Sequence, residues 1–449
     1  MKWCAHLLVV LVLVSSVSAD DPAAWRAQVE HGMHVMADDT PVDDSQTLEM
    51  PRTLEALQQL AATRHPAIRV AAAGADAARG TSRQARLWPN PILAYNGDEI
   101  GNRGTPGMQG GFLRQRVVTA GKLGLSGDVA DRRVLAAEHL VVSARQRVLN
   151  DVKVRFYDTL VAQQRVALTS QLVRLGDELA TATAKLVAGN QASTNSLLQT
   201  EIAAEQARAI KENADNQLVE AWRLLRMSVG LPGAMEAGLG GLQKLEGRVT
   251  ADLPDMSWQE CRDRILASHP ELLAARERVA AASISVTRQQ RQVIPDLDVR
   301  VGRARMYVTD SDVTSVMVGV SLPIFDRNQG GIARSEAELL AARFDVDRLE
   351  LQLRQRAATA YREYANTRQQ ARRYSETILP RARKSIGLVR KGYGKGQIGV
   401  VELLVAQQKY VEVNLAYLAT IRQLRESVTV IESQLLSGGL HGHRRAAAR

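Results

Sequence analysis

Apolar residues recur every three to four positions along most of this chain, and at every second position along only four short stretches. The first spacing lines one face of a helix, and the second lines one face of a strand. Over residues 314–322 the alternation is clear: Val316, Val318, Val320 and Leu322 share one face, with Met317, Gly319 and Ser321 on the other. A strand is expected over 297–308, and a polar loop, "TDSDVT", separates the two. After Pro323 the segment "SLPIFDRNQGGIARSEAEL" passes through Phe325, Asp326, Arg327, Asn328 and Gly330 and regains helical spacing. That spacing persists over residues 332–390, about 90 Å of helix at roughly 1.5 Å per residue. A turn at 392–399 then leads into a helix from 400 to about 436, and a helix over 258–290 precedes the strands.

The chain carries this pattern twice. His65-Pro66 matches His269-Pro270, Pro89 matches Pro295, Tyr157 matches Tyr361, and Gly189 matches Gly396, at offsets of 204, 206, 204 and 207 residues. A near-constant offset of this size is a duplication of one large unit, too long for a solenoid repeat. In the first half, strands are expected over 91–96 and 109–118, and helices over 123–188 and 196–229. No proline lies between Pro106 and Pro232, so little interrupts those helices. Pro380 does interrupt their counterpart, and a bend is expected there. The domain order is therefore a first repeat at 53–240, a linker at 241–257 and a second repeat at 258–439.

Helices this long need neighbours along their whole length. Their apolar positions are often small, as at Ala136, Ala137, Ala144, Ala337, Ala341 and Ala357, which allows close approach. Four short strands in one chain do not close a sheet, but three chains together would supply twelve, enough for a barrel. The expected fold is mainly α with a small β part.

Composition fits that picture. Of 449 residues only 4% are aromatic, and Ala, Leu, Val, Arg, Gln and Glu dominate. Residues 1–19 read as a signal peptide: Lys2, an apolar run over 7–14, and Val17-Ser18-Ala19 before Asp20. A leader then covers 20–52, and a basic tail 440–449. Cys4 would leave with the signal peptide and Cys261 would remain alone, so no disulfide and no lipid anchor are expected. The formal charge of +10 suits a solvated Arg-rich helical surface, and export argues against nucleic acid as its partner.

On these features the chain resembles the TolC-like outer membrane factors, and more narrowly the CzcC-type branch that serves heavy-metal efflux. The duplicated order, the junction from Pro323 to Gly330 and the two hairpin tips carry the resemblance. It implies a homotrimer with a 12-stranded β-barrel in the Gram-negative outer membrane and a long periplasmic α-helical barrel with a belt at its waist. It further implies a passive exit duct for metal cations, docked to a periplasmic adaptor and, through it, to an inner-membrane RND transporter. The same channel serving drugs or secreted proteins, and a periplasmic coiled-coil structural protein, are the alternatives.

Family tips resemble Tyr/Arg-x-x-Gly with an acidic residue six positions on and a following Leu pair. Here the second tip reads Tyr393, Gly396, Glu402, Leu403, Leu404, and the first reads Gly189, Asn195, Ser196, Leu197. The resemblance makes Gly189, Asn195, Leu197, Gly396, Glu402 and Leu403 candidates for adaptor docking. It also makes a threefold ring of Glu402 carboxylates a candidate cation filter; the plainer reading is a turn with Glu402 charging a helix N-terminus. Metal ligation is weakly suggested by His31, Met33, His34 and Met36, and by His441 and His443, with too few ligands for a closed site. His65 and His269 are expected to be structural, and Tyr95 and Tyr307 to edge a membrane or to pack. No nucleotide loop, nucleophile elbow, zincin or Cys-x-x-Cys motif occurs, so neither catalysis nor a cofactor is expected.

Overall fold

The computed structural model describes residues 50–231, 244–250 and 253–436. The chain divides into two units, 1–50 and 51–449, and all elements below lie in the second. Helix α1, Leu54–Arg64, starts at Thr53, whose hydroxyl accepts the N–H of Ala56. It stops at His65 because the residue before a proline is pushed to extended backbone. The imidazole of His65 then opens helix α2, Pro66–Ala85, with Nδ1 accepting the Ala67 N–H at 3.2 Å.

The second half begins in the same way. Helices α5, Trp258–Ser268, and α6, Pro270–Arg291, part at His269, whose Nδ1 accepts the Glu271 N–H at 3.2 Å. The single helix expected over 258–290 is thus two helices, broken by His-Pro.

Each half continues with two strands and a long hairpin. Strands β1, Ile92–Asp98, and β2, Met108–Val117, lead to helices α3, Lys122–Ala188, and α4, Thr194–Val229. Strands β3, Leu297–Met306, and β4, Ser311–Val320, lead to α7, Gln329–Arg373, α8, Leu379–Gly394, and α9, Val400–Glu432. At 67 residues, α3 is about 100 Å long. One π-helical turn, Tyr374–Ile378, joins α7 to α8 just before Pro380. The missing proline N–H leaves a carbonyl free in the turn before it, and the widened turn absorbs the mismatch at the expected bend.

Strand β4 starts at Ser311, earlier than expected, because Ser311 and Asp312 pair with Met306 and Arg305 and Arg303 holds the Asp312 carboxylate at 2.8 Å. Four of the six residues of that polar stretch, 311–314, are therefore strand. Helix α9 ends at Glu432, short of 436, where Gln434 and Leu435 turn left-handed.

The four strands form one antiparallel meander, β1-β2-β3-β4. The β2–β3 pairing, from Met108 opposite Met306 to Val117 opposite Leu297, joins the two halves. Among the helices, α2 packs on α3, α6 on α7, and α6 also on α3, so the halves meet along these rods. A buried cluster of Ile265, Leu272, Leu353, Ala357 and Leu435 ties α5 and α6 to α7 and to the end of α9. Linker residues are pinned onto the same rods. The Tyr364 hydroxyl donates to the Pro254 carbonyl at 2.9 Å and accepts the Met256 N–H at 3.1 Å, and Arg425 donates to the Val249 carbonyl at 2.6 Å.

Candidate functional site: the sheet faces and the helical tips

The register sorts the sheet's side chains into two faces. Leu93, Leu113, Val301 and Val316 lie side by side across the four strands, followed by Gln115, Val299 and Val318, then Val117, Leu297 and Val320. This face is apolar and uncovered by the described residues, with Leu93 81% and Val316 69% exposed. The opposite face carries Arg114, Arg116, Asp298 and Arg300. Arg114 Nε donates to Asp298 Oδ1 at 3.0 Å, and the Arg300 guanidinium lies 3.5 Å from the Phe112 ring centre. Tyr95 sits beyond the apolar rows, in line with Arg303 and Thr314, and its hydroxyl donates to Gln109 at 2.7 Å. Tyr307 caps β3 at the same end, so the strip runs from apolar rows to an aromatic and charged rim. Both outer strands, β1 and β4, have one edge without a partner among the described residues. Such an edge with an apolar face is stable only when another strand and a nonpolar phase cover them.

The strand-to-helix junctions are built from hydrogen bonds. Asn328 adopts a left-handed backbone, φ 58°, and its amide donates to Gln289 at 2.9 Å (carbonyl) and 2.8 Å (side chain), locking the start of α7 to the end of α6. Asp326 accepts the Asn328 N–H at 2.8 Å, and Gln329 accepts the Arg327 N–H at 3.1 Å. Pro323 lies three residues past the end of β4, Gly330 sits in open space, and Phe325 is 91% exposed. In the first half Ala120 and Gly121 take the left-handed places, and Lys122 and Thr119 bind Asp296 instead. Sequence reading singled out the Asn328 junction and missed Asp296, whose signal was only a carboxylate after the matching proline.

At the far end of the rods both hairpins turn in the same way. The left-handed residue is Gly396 at φ 71° in one, and Asn190 at φ 56° in the other, while Gly189 has an ordinary φ of −86°. Each is followed by a reach-back bond, Gln397 N–H to Gly392 O at 2.9 Å and Gln191 N–H to Leu186 O at 2.7 Å. Asparagine tolerates this conformation well enough to replace glycine.

The next helices fix the equivalences. Glu402 is the third residue of α9 and its carboxylate folds back over Gly399, where an added Cβ would meet Oε2 at 2.7 Å. In α4 that place belongs to Ser196, whose hydroxyl meets Ser193 Oγ at 2.9 Å, and not to Asn195. Leu197 is half-buried. Leu403 is buried with Leu179 and Ile386, so its side chain packs the two hairpins together. The exposed apolar positions at the tips include Leu186, Leu198, Ile202, Leu388, Val401 and Val405.

Two buried histidines stand at the helix breaks. His269 is buried at the α5–α6 break, and burial pushes it down to about 4 against the pull of Glu271. His65 is lowered for the same reason, opposed by Asp151. Among the described residues no three His, Cys, Asp or Glu side chains gather as metal ligands, and no helix is long and apolar enough to cross a membrane. His31, Met33, His34, Met36, His441 and His443 lie outside the described residues.

The family model of the outer membrane efflux protein matches residues 261–435. CzcC of Cupriavidus metallidurans, a cobalt-zinc-cadmium resistance protein, is 25% identical over 85% of this chain and 89% of its own length. Over most of its length the chain is thus similar to a metal-resistance protein. CnrC, a nickel and cobalt resistance protein of the same organism, is 28% identical over 70% of this chain and 73% of its own. The fold agrees: the outer membrane protein VceC of Vibrio cholerae superposes with a TM-score of 0.68 at 16% identity, covering 86% of this chain and 96% of that one. The sheet and rods described above are therefore those of the outer-membrane factor fold.

Proposed function

We propose that three copies of this chain form the outer-membrane exit duct of a tripartite efflux system that exports heavy-metal cations. The observation that carries the reading is the apolar sheet face with two open edges, set at the end of rods about 100 Å long. Three copies joined edge to edge, β4 to β1, make a twelve-stranded barrel whose apolar face meets lipid and whose Arg- and Asp-bearing face lines water. The uncovered stripe of Leu340, Phe344 and Leu351 on α7 supports the same assembly, because it lies on one helical face and awaits a neighbouring rod.

The rods then form a periplasmic tunnel whose tips dock an adaptor and, through it, an inner-membrane RND transporter. Export by residues 1–19 belongs to this reading. The duct binds no cofactor and catalyses nothing. Metals are favoured as cargo by the resistance proteins among its relatives, although these differ in the metals they are named for. Glu402 acts here chiefly as the charge at the N-terminus of α9.

The test is complementation. A metal-sensitive strain lacking its own exit duct, but keeping adaptor and pump, should regain growth on cobalt, zinc or cadmium when it produces this chain. Recovery of drug tolerance without metal tolerance would favour a drug duct, and recovery of neither would refute the reading.

A further inference from the structure

The second hairpin tip carries an unbalanced charge that the docking reading does not explain. Between Glu376 and Glu402 there is no acidic residue, but there are six basic ones: Arg381, Arg383, Lys384, Arg390, Lys391 and Lys395. All six are exposed, and none forms an ion pair among the described residues. The helix that holds them is two-sided. Ile386, Val389 and Tyr393 face the core shared with Leu179 and Leu403. At about 100° per residue, Lys384 and Lys391 fall on the opposite side, and Arg383 and Arg390 flank the core-facing stripe.

Among the described residues no carboxylate pairs with these side chains. The first hairpin has only Lys185 as a charged residue between Glu178 and Glu201. Further copies of the chain bring the same excess, so assembly multiplies the charge. A run of cations held side by side without counter-charge repels itself, and complementary charge on a partner relieves that repulsion.

From this we infer that the surface of α8 and the following turn is a docking site for an acidic protein, namely a helical surface of the periplasmic adaptor rich in Asp and Glu. The inference rests on the reading of the tips as the adaptor-docking end. Exposed Leu388, Val401 and Val405 on this hairpin, and Leu198 and Ile202 on the other, would supply apolar contacts between the charged ones. Pairs four apart, such as Val401 and Val405, suit packing against a partner helix more than insertion into a lipid surface. The same charge counteracts a cation filter at Glu402, because six positive side chains stand within the same tip.

The experiment uses full-length channel in detergent and the adaptor identified by cross-linking in cells that produce this chain. Binding is measured at about 50 mM and about 300 mM NaCl, where the screening length falls by more than half. The expected result is a drop in affinity of about tenfold or more with salt, most of which disappears in the R390E/K391E variant and returns in R390K/K391R. R383E/K384E, about two turns further from the tip, serves as a second test of the same helix. Adaptor binding that is insensitive to salt and to both charge reversals would overturn the inference while leaving docking intact. No adaptor binding by the native chain at either salt would instead defeat the docking reading and the inference with it. Salt-dependent binding to vesicles of three parts phosphatidylcholine to one part phosphatidylglycerol, with none to the adaptor, would make the face a membrane contact and overturn it too.

Discussion

Lys122 Nζ lies 2.7 Å from Asp296 Oδ1, and the pair bridges the two repeats where rods and sheet meet. Lys122 comes from the first turn of α3 and Asp296 from the link between α6 and β3. Both side chains are nearly buried, at 6% and 10% exposure. Asp296 also accepts the Thr119 N–H at 3.1 Å and Arg116 Nη2 at 2.7 Å, so one carboxylate holds strand, junction and rod together.

Removing that carboxylate should be costly. Asp296→Ala leaves Lys122 buried without its partner, which costs about 3–5 kcal/mol for pairs this secluded. Thermal unfolding in detergent should show a large drop in midpoint for Asp296→Ala and a smaller one for Asp296→Leu combined with Lys122→Met. Equal drops would mean that packing, and not the charge pair, holds the junction.

Acid should loosen the molecule through His269. Its folded value of about 4 lies below the ordinary 6.5, so the unfolded chain binds the extra proton between those limits. The stabilisation is complete above about pH 6.5 and is lost as pH falls towards about 4. His269→Asn keeps an acceptor for the Glu271 N–H but does not titrate, so its stability should vary less across that window. Identical pH slopes for the two proteins would contradict the assignment.

Helix α4 ends on Gly230 at φ 83°, and a Cβ added there would stand 3.0 Å from His65 Cα. Gly230→Ala is both strained and crowded, and should destabilise by about 1–3 kcal/mol. Gly330→Ala, in open space at an ordinary φ, should change the unfolding midpoint little, and the contrast between the two is the measurement.

The two sheet faces should tolerate charge differently. Val318→Arg places a cation in the middle apolar row and should cost about 2–4 kcal/mol in lipid, whereas Met317→Arg, on the charged face, should cost little. Unfolding of both variants from vesicles checks the difference. Equal effects would mean that the apolar face does not meet lipid.

Much of this architecture was legible in the sequence because duplicated helices repeat their spacing, and Gly and Pro mark their ends. The finer misses have local causes. His-Pro broke a helix whose apolar pattern continues across the break. Ser311 and Asp312 read as loop because their place in β4 depends on Met306 and Arg305 across the strand pair. Asn190 took the left-handed place beside Gly189, which shifted Glu402 opposite Ser196. Leu403 turned inward because Leu179, more than 200 residues earlier, offers it a core. Each depends on a contact distant in sequence.

The most direct test is the mass of the detergent-solubilised protein, by light scattering corrected for bound detergent. The duct requires three chains in one particle that needs detergent to remain dispersed. A monomer or dimer that purifies in water without detergent would mean that the edges of β1 and β4 do not join between copies, and the channel would fall with the barrel.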